Sequence, residues 1–299
     1  MIGELAALTT ALCWAFTSIF FTLGGMRVGS VVVNRVRLLI AVVFLSISHL
    51  VYTGQLIPID AEPRRWFWLG ISGLIGLVIG DAMLFQAFVV IGPRLSILLM
   101  SFVPVISAFL AYILLGEILS LVELAAIAVV IGGISWVVLE RDINNNRHKQ
   151  LTTKQFSIGI LLGFGGAFGQ AGGLLASKVG LEGGFSALSG NLIRMIVAAS
   201  IMWILTIAVG EAKRTISRLK DTKAFTAIIG GSFFGPFVGV WMSLIAIVHT
   251  KIGIASTLMT LTPILVIPLS HYVFKERISV RAVLGTIVAV AGVALLMMN

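Results

Sequence analysis

Charged side chains are scarce in this sequence: Asp, Glu, Lys and Arg make up 11% of the 299 residues, against 59% hydrophobic ones. Soluble domains carry about 25% charge, so that class is excluded. Cysteine is nearly absent, and the lone Cys13 lies inside the first apolar run, which leaves neither a disulfide framework nor a thiolate metal site. His49, His249 and His271 sit near the ends of different apolar runs without ligand spacing. No Gly-x-x-x-x-Gly-Lys phosphate loop occurs, so the chain carries no ATPase motor of its own. No cofactor and no metal are expected. Nor is a nucleic acid, because the formal charge of +9 resides in short loops and not in a basic run interleaved with aromatics. Met1 is followed by neither a basic leader nor a clear cleavage site, which predicts that the first apolar run is retained as a helix.

What remains is apolar sequence in long runs, with a mean hydropathy of +1.10. A hydrocarbon core roughly 30 Å thick needs about 20 residues of helix rising about 1.5 Å each. About ten such runs fit, at 3–23, 31–52, 66–90, 95–115, 121–139, 157–177, 186–209, 224–248, 252–274 and 280–298. The expected fold is therefore an all-α polytopic membrane protein with ten transmembrane helices. The longest polar stretch, ERDINNNRHKQLTTKQ, falls midway and joins five spans to five.

The two groups of five are copies. SFVPVISAFLAYILLGEILS at 101–120 returns as TLTPILVIPLSHYVFKERIS at 260–279, so Pro104, Glu117 and Ser120 match Pro263, Glu276 and Ser279 at an offset of 159. The same offset carries Gly76 and Gly80 onto Gly235 and Gly239. Asn34 and Arg37 early in the second span match Asn191 and Arg194 early in the seventh, at a slightly shorter offset. A unit with five crossings enters its second copy from the opposite side, so the expected arrangement is a pair of inverted repeats: 1–140, a polar linker at 141–156, and 157–299. In such carriers the binding site lies near the midplane where the repeats meet.

Several residues are candidates for chemistry. Asp81 falls mid-span, where a carboxylate costs about 2.5 to 3.5 kcal/mol, and its repeat counterpart is the neutral Val240. It reads as a proton carrier or amine partner whose pKa desolvation would raise, or as a structural group bonding neighbouring helices. Arg37 and Arg194 read as anchors and helix-to-helix donors, or as gating or anion-binding groups, with Asn34 and Asn191 one turn earlier positioning them. Glu117 and Glu276 end their spans, where the helix dipole disfavours them and a compensating cation or donor is required; pairing at helix ends and a transport gate both fit. Pro104 and Pro263 predict mid-span kinks beside the cavity. Trp14, Ser18, Phe85, Gln86, Gln170, Lys178 and Trp241 are polar or amphipathic residues placed to line that cavity. Glycines recur every fourth residue in 76–80, 165–173 and 231–239, which predicts close helix packing.

The doubled pattern, with a mid-span Pro, a Glu ending the fourth span, Trp14 in the first span and Arg37 and Arg194 in the second and seventh, resembles the EamA-type branch of the drug/metabolite transporter superfamily. That resemblance implies a ten-helix bundle working by alternating access in a bacterial-type inner membrane as an exporter or exchanger of amino acids or similar small metabolites. The expected partners are a small metabolite, membrane lipids and, where transport is coupled, protons. Gln170, standing where a repeat of Trp14 would fall, departs from the symmetric pattern. The resemblance implies cytoplasmic termini, whereas the richer basic loops, including Lys213, Arg214, Arg218, Lys220 and Lys223, lie on the face opposite the termini and by the positive-inside rule place the termini outside. Two other readings stand beside the metabolite carrier: a lipid or lipid-linked-intermediate translocase on the same fold, favoured by a laterally open apolar cavity, and an intramembrane transferase, which would need paired carboxylates, a metal cluster or an activated nucleophile. The residues point away from an enzyme.

Overall fold

The computed structural model describes residues 1–91, 93–140, 152–274 and 280–298, and every regular element among them is helical. Apolar runs this long leave the backbone no other way to satisfy its polar groups inside lipid. The first half comprises α1 (Ile2–Val28), α2 (Ser30–Thr53), α3 (Pro63–Ser72), a π-helical segment at Gly73–Gly80, α4 (Asp81–Val90), α5 (Pro93–Met100), α6 (Val103–Leu115) and α7 (Leu121–Glu140). The second comprises α8 (Thr153–Leu181), α9 (Ala187–Ala208), the short α10 (Ala212–Arg218), α11 (Thr222–Ser232), a second π-helical segment at Phe233–Gly239, α12 (Val240–His249), α13 (Ile252–Met259), α14 (Thr262–Phe274) and α15 (Val280–Met297). Among the described residues, eight helices are long and apolar enough to cross a membrane, and Leu121–Val137 and Val283–Met297 add two shorter apolar ones. The chain is a multi-pass membrane protein.

Two irregularities occur at matching places in both halves. The π-helical segments, 73–80 and 233–239, end at equivalent positions under the 159-residue offset and are followed directly by Asp81 and by its counterpart Val240. Single π turns inside α-helices recur at functional sites because they re-aim the side chains that follow them. The second irregularity lies beside the two prolines expected to kink their spans. A two-residue turn interrupts the span between α5 and α6, at 101–102, and between α13 and α14, at 260–261. Pro104 and Pro263 are each the second residue of the new helix, where a missing N–H leaves nothing unsatisfied. Local hydroxyls take up the carbonyls at these breaks. Ser101 Oγ donates to Leu98 O at 2.6 Å in one, and Thr260 Oγ1 to Ser256 O at 2.6 Å in the other.

The halves are interleaved. Helix α1 packs against α11, the second π segment, α12, α13 and α14, whereas α8 packs against α3, the first π segment, α4, α5 and α6. Each half thus cradles the leading helix of the other. The close approach is made by small residues, since lipid supplies little drive for helix association. A Cβ placed on Gly169 would lie 2.6 Å from Gly80 Cα, and one on Gly173 3.1 Å from Gly76 Cα. The third glycine of that row, Gly165, faces only the flexible end of Met83. Helices α7 and α15 meet through Gly133, Gly285 and Gly292 in the same way.

Candidate functional site

The candidate site forms where α2 and α9 pack against each other and against the two π segments. Arg37 on α2 is ion-paired with Asp81, the first residue after the first π segment, and its Nε donates to Asn34 Oδ1 at 2.8 Å. The guanidinium lies over the rings of Phe21 and Phe85, at 5.9 and 5.7 Å from their centroids. Asp81 is therefore a partnered carboxylate, joined to its own half's second span. Placing it there required the helix to pass through the π turn, because that turn shifts the register of every residue beyond it.

The second half repeats the residues without repeating the bonds. Asn191 does not position Arg194; its Nδ2 donates to Pro236 O at 3.0 Å and Phe237 O at 3.3 Å, two carbonyls of the second π segment. Arg194 is 4% exposed and lies beside Gly76, with its Nη2 3.7 Å from where a Cβ there would stand. Two arginines and one aspartate at membrane depth leave the cluster short of one negative charge, an arrangement that costs free energy unless something else supplies it.

A second polar cluster closes the end of the bundle that carries the termini. Glu117, set beyond α6 by the left-handed turn at Gly116 (φ 67), accepts from Lys178 Nζ at 2.5 Å and from Ile252 N at 2.9 Å. The compensating cation that Glu117 required thus comes from α8, and the N–H from the start of α13. Lys178, expected in the cavity lining, is engaged instead by Glu117 and by Thr250 O at 3.1 Å. Beside it Lys251 Nζ contacts both oxygens of Glu123 at 2.7 and 2.8 Å. The Glu123 carboxylate also accepts from Ser120 N at 2.5 Å, and the Glu123 backbone N–H donates to Ser120 Oγ at 3.2 Å, a capping box that opens α7. Both ion pairs join one half to the other. Glu276, the repeat partner of Glu117, lies outside the described residues.

The remaining candidates separate into contacts of different kinds. Trp14 packs on the second π segment, within 3.0 Å of where a Gly239 Cβ would stand. Ser18 Oγ donates within its own helix to Ala15 O at 2.8 Å. Gln86 is exposed and Gln170 half-buried. Trp241 belongs to a run of aromatic rings on the second π segment and α12: it neighbours Phe237 at 6.1 Å and Tyr52 at 6.4 Å, and Phe237 continues to Phe44 and Phe233. Sequence reasoning missed this run, although three phenylalanines within 233–237 signalled it. It also missed the Glu123–Lys251 pair; the Ser120-x-x-Glu123 spacing signals only the capping box. Among the described residues, no three His, Cys, Asp or Glu side chains come together to hold a metal.

The EamA-like transporter family model matches this chain twice, over residues 1–139 and 157–298. The chain belongs to that family. EamA-like proteins are transporters of the drug/metabolite transporter superfamily, so membership makes this chain a membrane transporter by family. Among solved structures, one titled only "Crystal structure of protein" superposes with a TM-score of 0.77 at 15% identity, covering 99% of this chain and 96% of that one. The likeness concerns the fold alone. No curated protein sequence matches the chain.

Proposed function

We propose that this EamA-like protein is a secondary active transporter that exports or exchanges amino acids or similar small metabolites by alternating access. In this reading ten spans form two inverted five-helix repeats in the plasma membrane, the inner membrane of a bacterial-type cell. The observation that carries it is the matched pair of discontinuous spans, broken at 101–102 and at 260–261, in two halves that each cradle the other's leading helix. Paired broken helices at a repeat interface are how carriers expose polar backbone and side chains to a solute at membrane depth. Asn34–Arg37, Asn191–Arg194 and Asp81 stand beside that interface and are assigned to solute binding and coupling, with any proton carried by Asp81. Glu117–Lys178 and Glu123–Lys251 are assigned to the gate on the terminal face. The positive-inside rule favours a cytoplasmic location for the face with the basic loops, whereas the family resemblance favours cytoplasmic termini.

The test is counterflow. Purified protein in liposomes preloaded with unlabelled amino acids should accumulate the labelled solute, and a pH gradient should change the rate if Asp81 couples protons. Failure of any metabolite to exchange in folded protein would sink the proposal. One observation favours a second reading. Val105, Phe109, Tyr112, Ile118 and Ile131 line an apolar groove of about 430 Å³ that opens on the outer surface of the bundle and ends at Glu117. A laterally open groove of this kind suits an acyl chain, and a lipid translocase would scramble labelled phospholipid in the same liposomes while leaving amino acids untouched.

A further inference from the structure

The connection between α9 and α11 concentrates positive charge at one edge of the bundle. Lys213, Arg214, Arg218, Lys220 and Lys223 are all exposed there, and the acids of the same segment are Glu211 and Asp221. Both acids are already engaged. Arg27 Nε donates to both oxygens of Asp221 at 2.9 Å, and Glu211 lies 3.7 Å from Arg35 and 3.5 Å from Arg214. Among the described residues, Lys213, Arg218, Lys220 and Lys223 have no carboxylate within ion-pairing distance. Arg27 and Arg35 come from α1 and α2, so the first half adds charge to the segment instead of removing it. Helix α10 joins the end of one spanning helix to the start of the next, which holds it at the membrane boundary. It packs on α2 and α9, with Thr215 buried and accepting from Arg35 Nη1 at 2.9 Å. Its other side is open: Ile216 is 56% exposed, and Ile207 and Val209 at the end of α9 are exposed beside it. Apolar side chains at this level meet acyl chains, and basic side chains around them stand among the phosphates.

We propose that α10 and the residues after it, as far as Lys223, form a docking surface for anionic phospholipid headgroups, with Ile216 set into the acyl layer beneath them. Lys213, Arg218, Lys220 and Lys223 donate to the phosphate oxygens, while Arg214 stays with Glu211. Charge selects the lipid. A zwitterionic headgroup brings its own cation and leaves the surplus uncompensated, whereas phosphatidylglycerol brings one net negative charge. Each basic group held at an anionic surface strengthens binding about fivefold. Free phosphate meets the same lysines but gains nothing from the apolar side chains, so the lipid is the better ligand. The inference rests on the chain's crossing the membrane and is independent of the solute it carries. Because Arg27 and Arg35 tie this segment of the second half to the first, the lipid sits where the halves are joined.

The experiment uses the full chain in phosphatidylcholine liposomes, with a bimane fluorophore on Ser217→Cys in a Cys13→Ala background. Phosphatidylglycerol or phosphatidylcholine carrying a nitroxide near the top of one acyl chain is titrated in, and only lipid beside α10 quenches the fluorophore. Half-quenching should need about fivefold less phosphatidylglycerol than phosphatidylcholine, or less still, and raising the salt concentration should shrink that preference. Changing Lys213, Arg218, Lys220 and Lys223 together to Gln should bring the two titrations together. If that variant does not fold, Lys213→Gln and Lys220→Gln must each reduce the preference on their own. A fluorophore on Ile118→Cys, on the terminal face, should be unaffected by these substitutions. Equal quenching by the two lipids overturns the assignment, as does a preference that the substitutions leave unchanged. So does a preference abolished by inorganic phosphate at an ionic strength matched with chloride, which would mark a site for the free anion.

Discussion

Arg37 and Arg194 occupy equivalent positions in two copies of one structural unit, yet Arg37 holds Asp81 and Asn34 whereas Arg194 Nε and Nη1 have no hydrogen-bond partner. The residues that follow the two π segments differ as well. Asp81 follows the first π segment, and Val240 follows the second.

Breaking that pair should be costly, because its side chains are only 10% and 18% exposed. Removing one partner of a buried pair costs about 3 kcal/mol or more. Asp81→Asn and Arg37→Gln are each expected to lower the unfolding temperature in detergent clearly, and the double variant by less than the sum of the two. A strictly additive double variant would mean that the two groups do not interact.

The terminal-face cluster gives a second cycle. Glu117→Gln removes the charge facing Lys178 and weakens the acceptor for Ile252 N–H, with an expected loss of about 1.5 to 3 kcal/mol, since both side chains are largely buried. Lys178→Met should lose a similar amount and add little in combination with the Glu117 change. Thermal unfolding of the four proteins of the cycle measures this.

The small-residue packing predicts unequal effects along one helix. Gly169→Ala places a methyl 2.6 Å from Gly80 Cα, where backbone must move, at an expected cost of about 1 to 3 kcal/mol. Gly165→Ala meets the tip of Met83, which can turn aside, and should be tolerated. The yield of monodisperse protein and its unfolding temperature report the difference.

On the face opposite the termini, both oxygens of Asp221 accept from Arg27 Nε at 2.9 Å, and this bond holds the Asp221 carboxyl below the usual carboxylate range. A carboxyl lowered in the folded state contributes stability above its unfolded pKa, about 3.9, and loses it as pH falls through the folded value. The acid limb of a stability-against-pH curve should therefore be shallower in Asp221→Asn than in the natural protein. Identical limbs would show that the contact is inconsequential.

How far these features could be read beforehand differs by distance along the chain. The repeat, the apolar runs and the glycine rows are periodic, so they were visible in the residues themselves. The prolines were visible as interruptions, but whether a membrane helix bends or restarts depends on neighbours that accept the chain ends. Here Ser101, Thr260 and Thr262 hydroxyls cap the broken turns, and the helices restart. The Arg37–Asp81 and Lys178–Glu117 pairs span 44 and 61 residues, and neither can be inferred without knowing which spans touch. The π turns were hidden for a related reason. The glycines matched between halves, but glycine rows pack α-helices equally well, and only the backbone reveals the extra residue.

If the two halves move against each other as inverted copies, the terminal face opens and closes across the Glu117–Lys178 pair. The most direct measurement is the distance between spin labels on Ile118→Cys and Glu182→Cys, both exposed on the terminal face on either side of the Glu117–Lys178 pair, in a Cys13→Ala background. Two distance populations are predicted, with the balance between them shifting when a solute that the protein exchanges is added and toward the longer one when Glu117→Gln opens the pair. A single distance, unchanged by the exchanged solute and by the loss of Glu117, would mean that the halves do not move in this way.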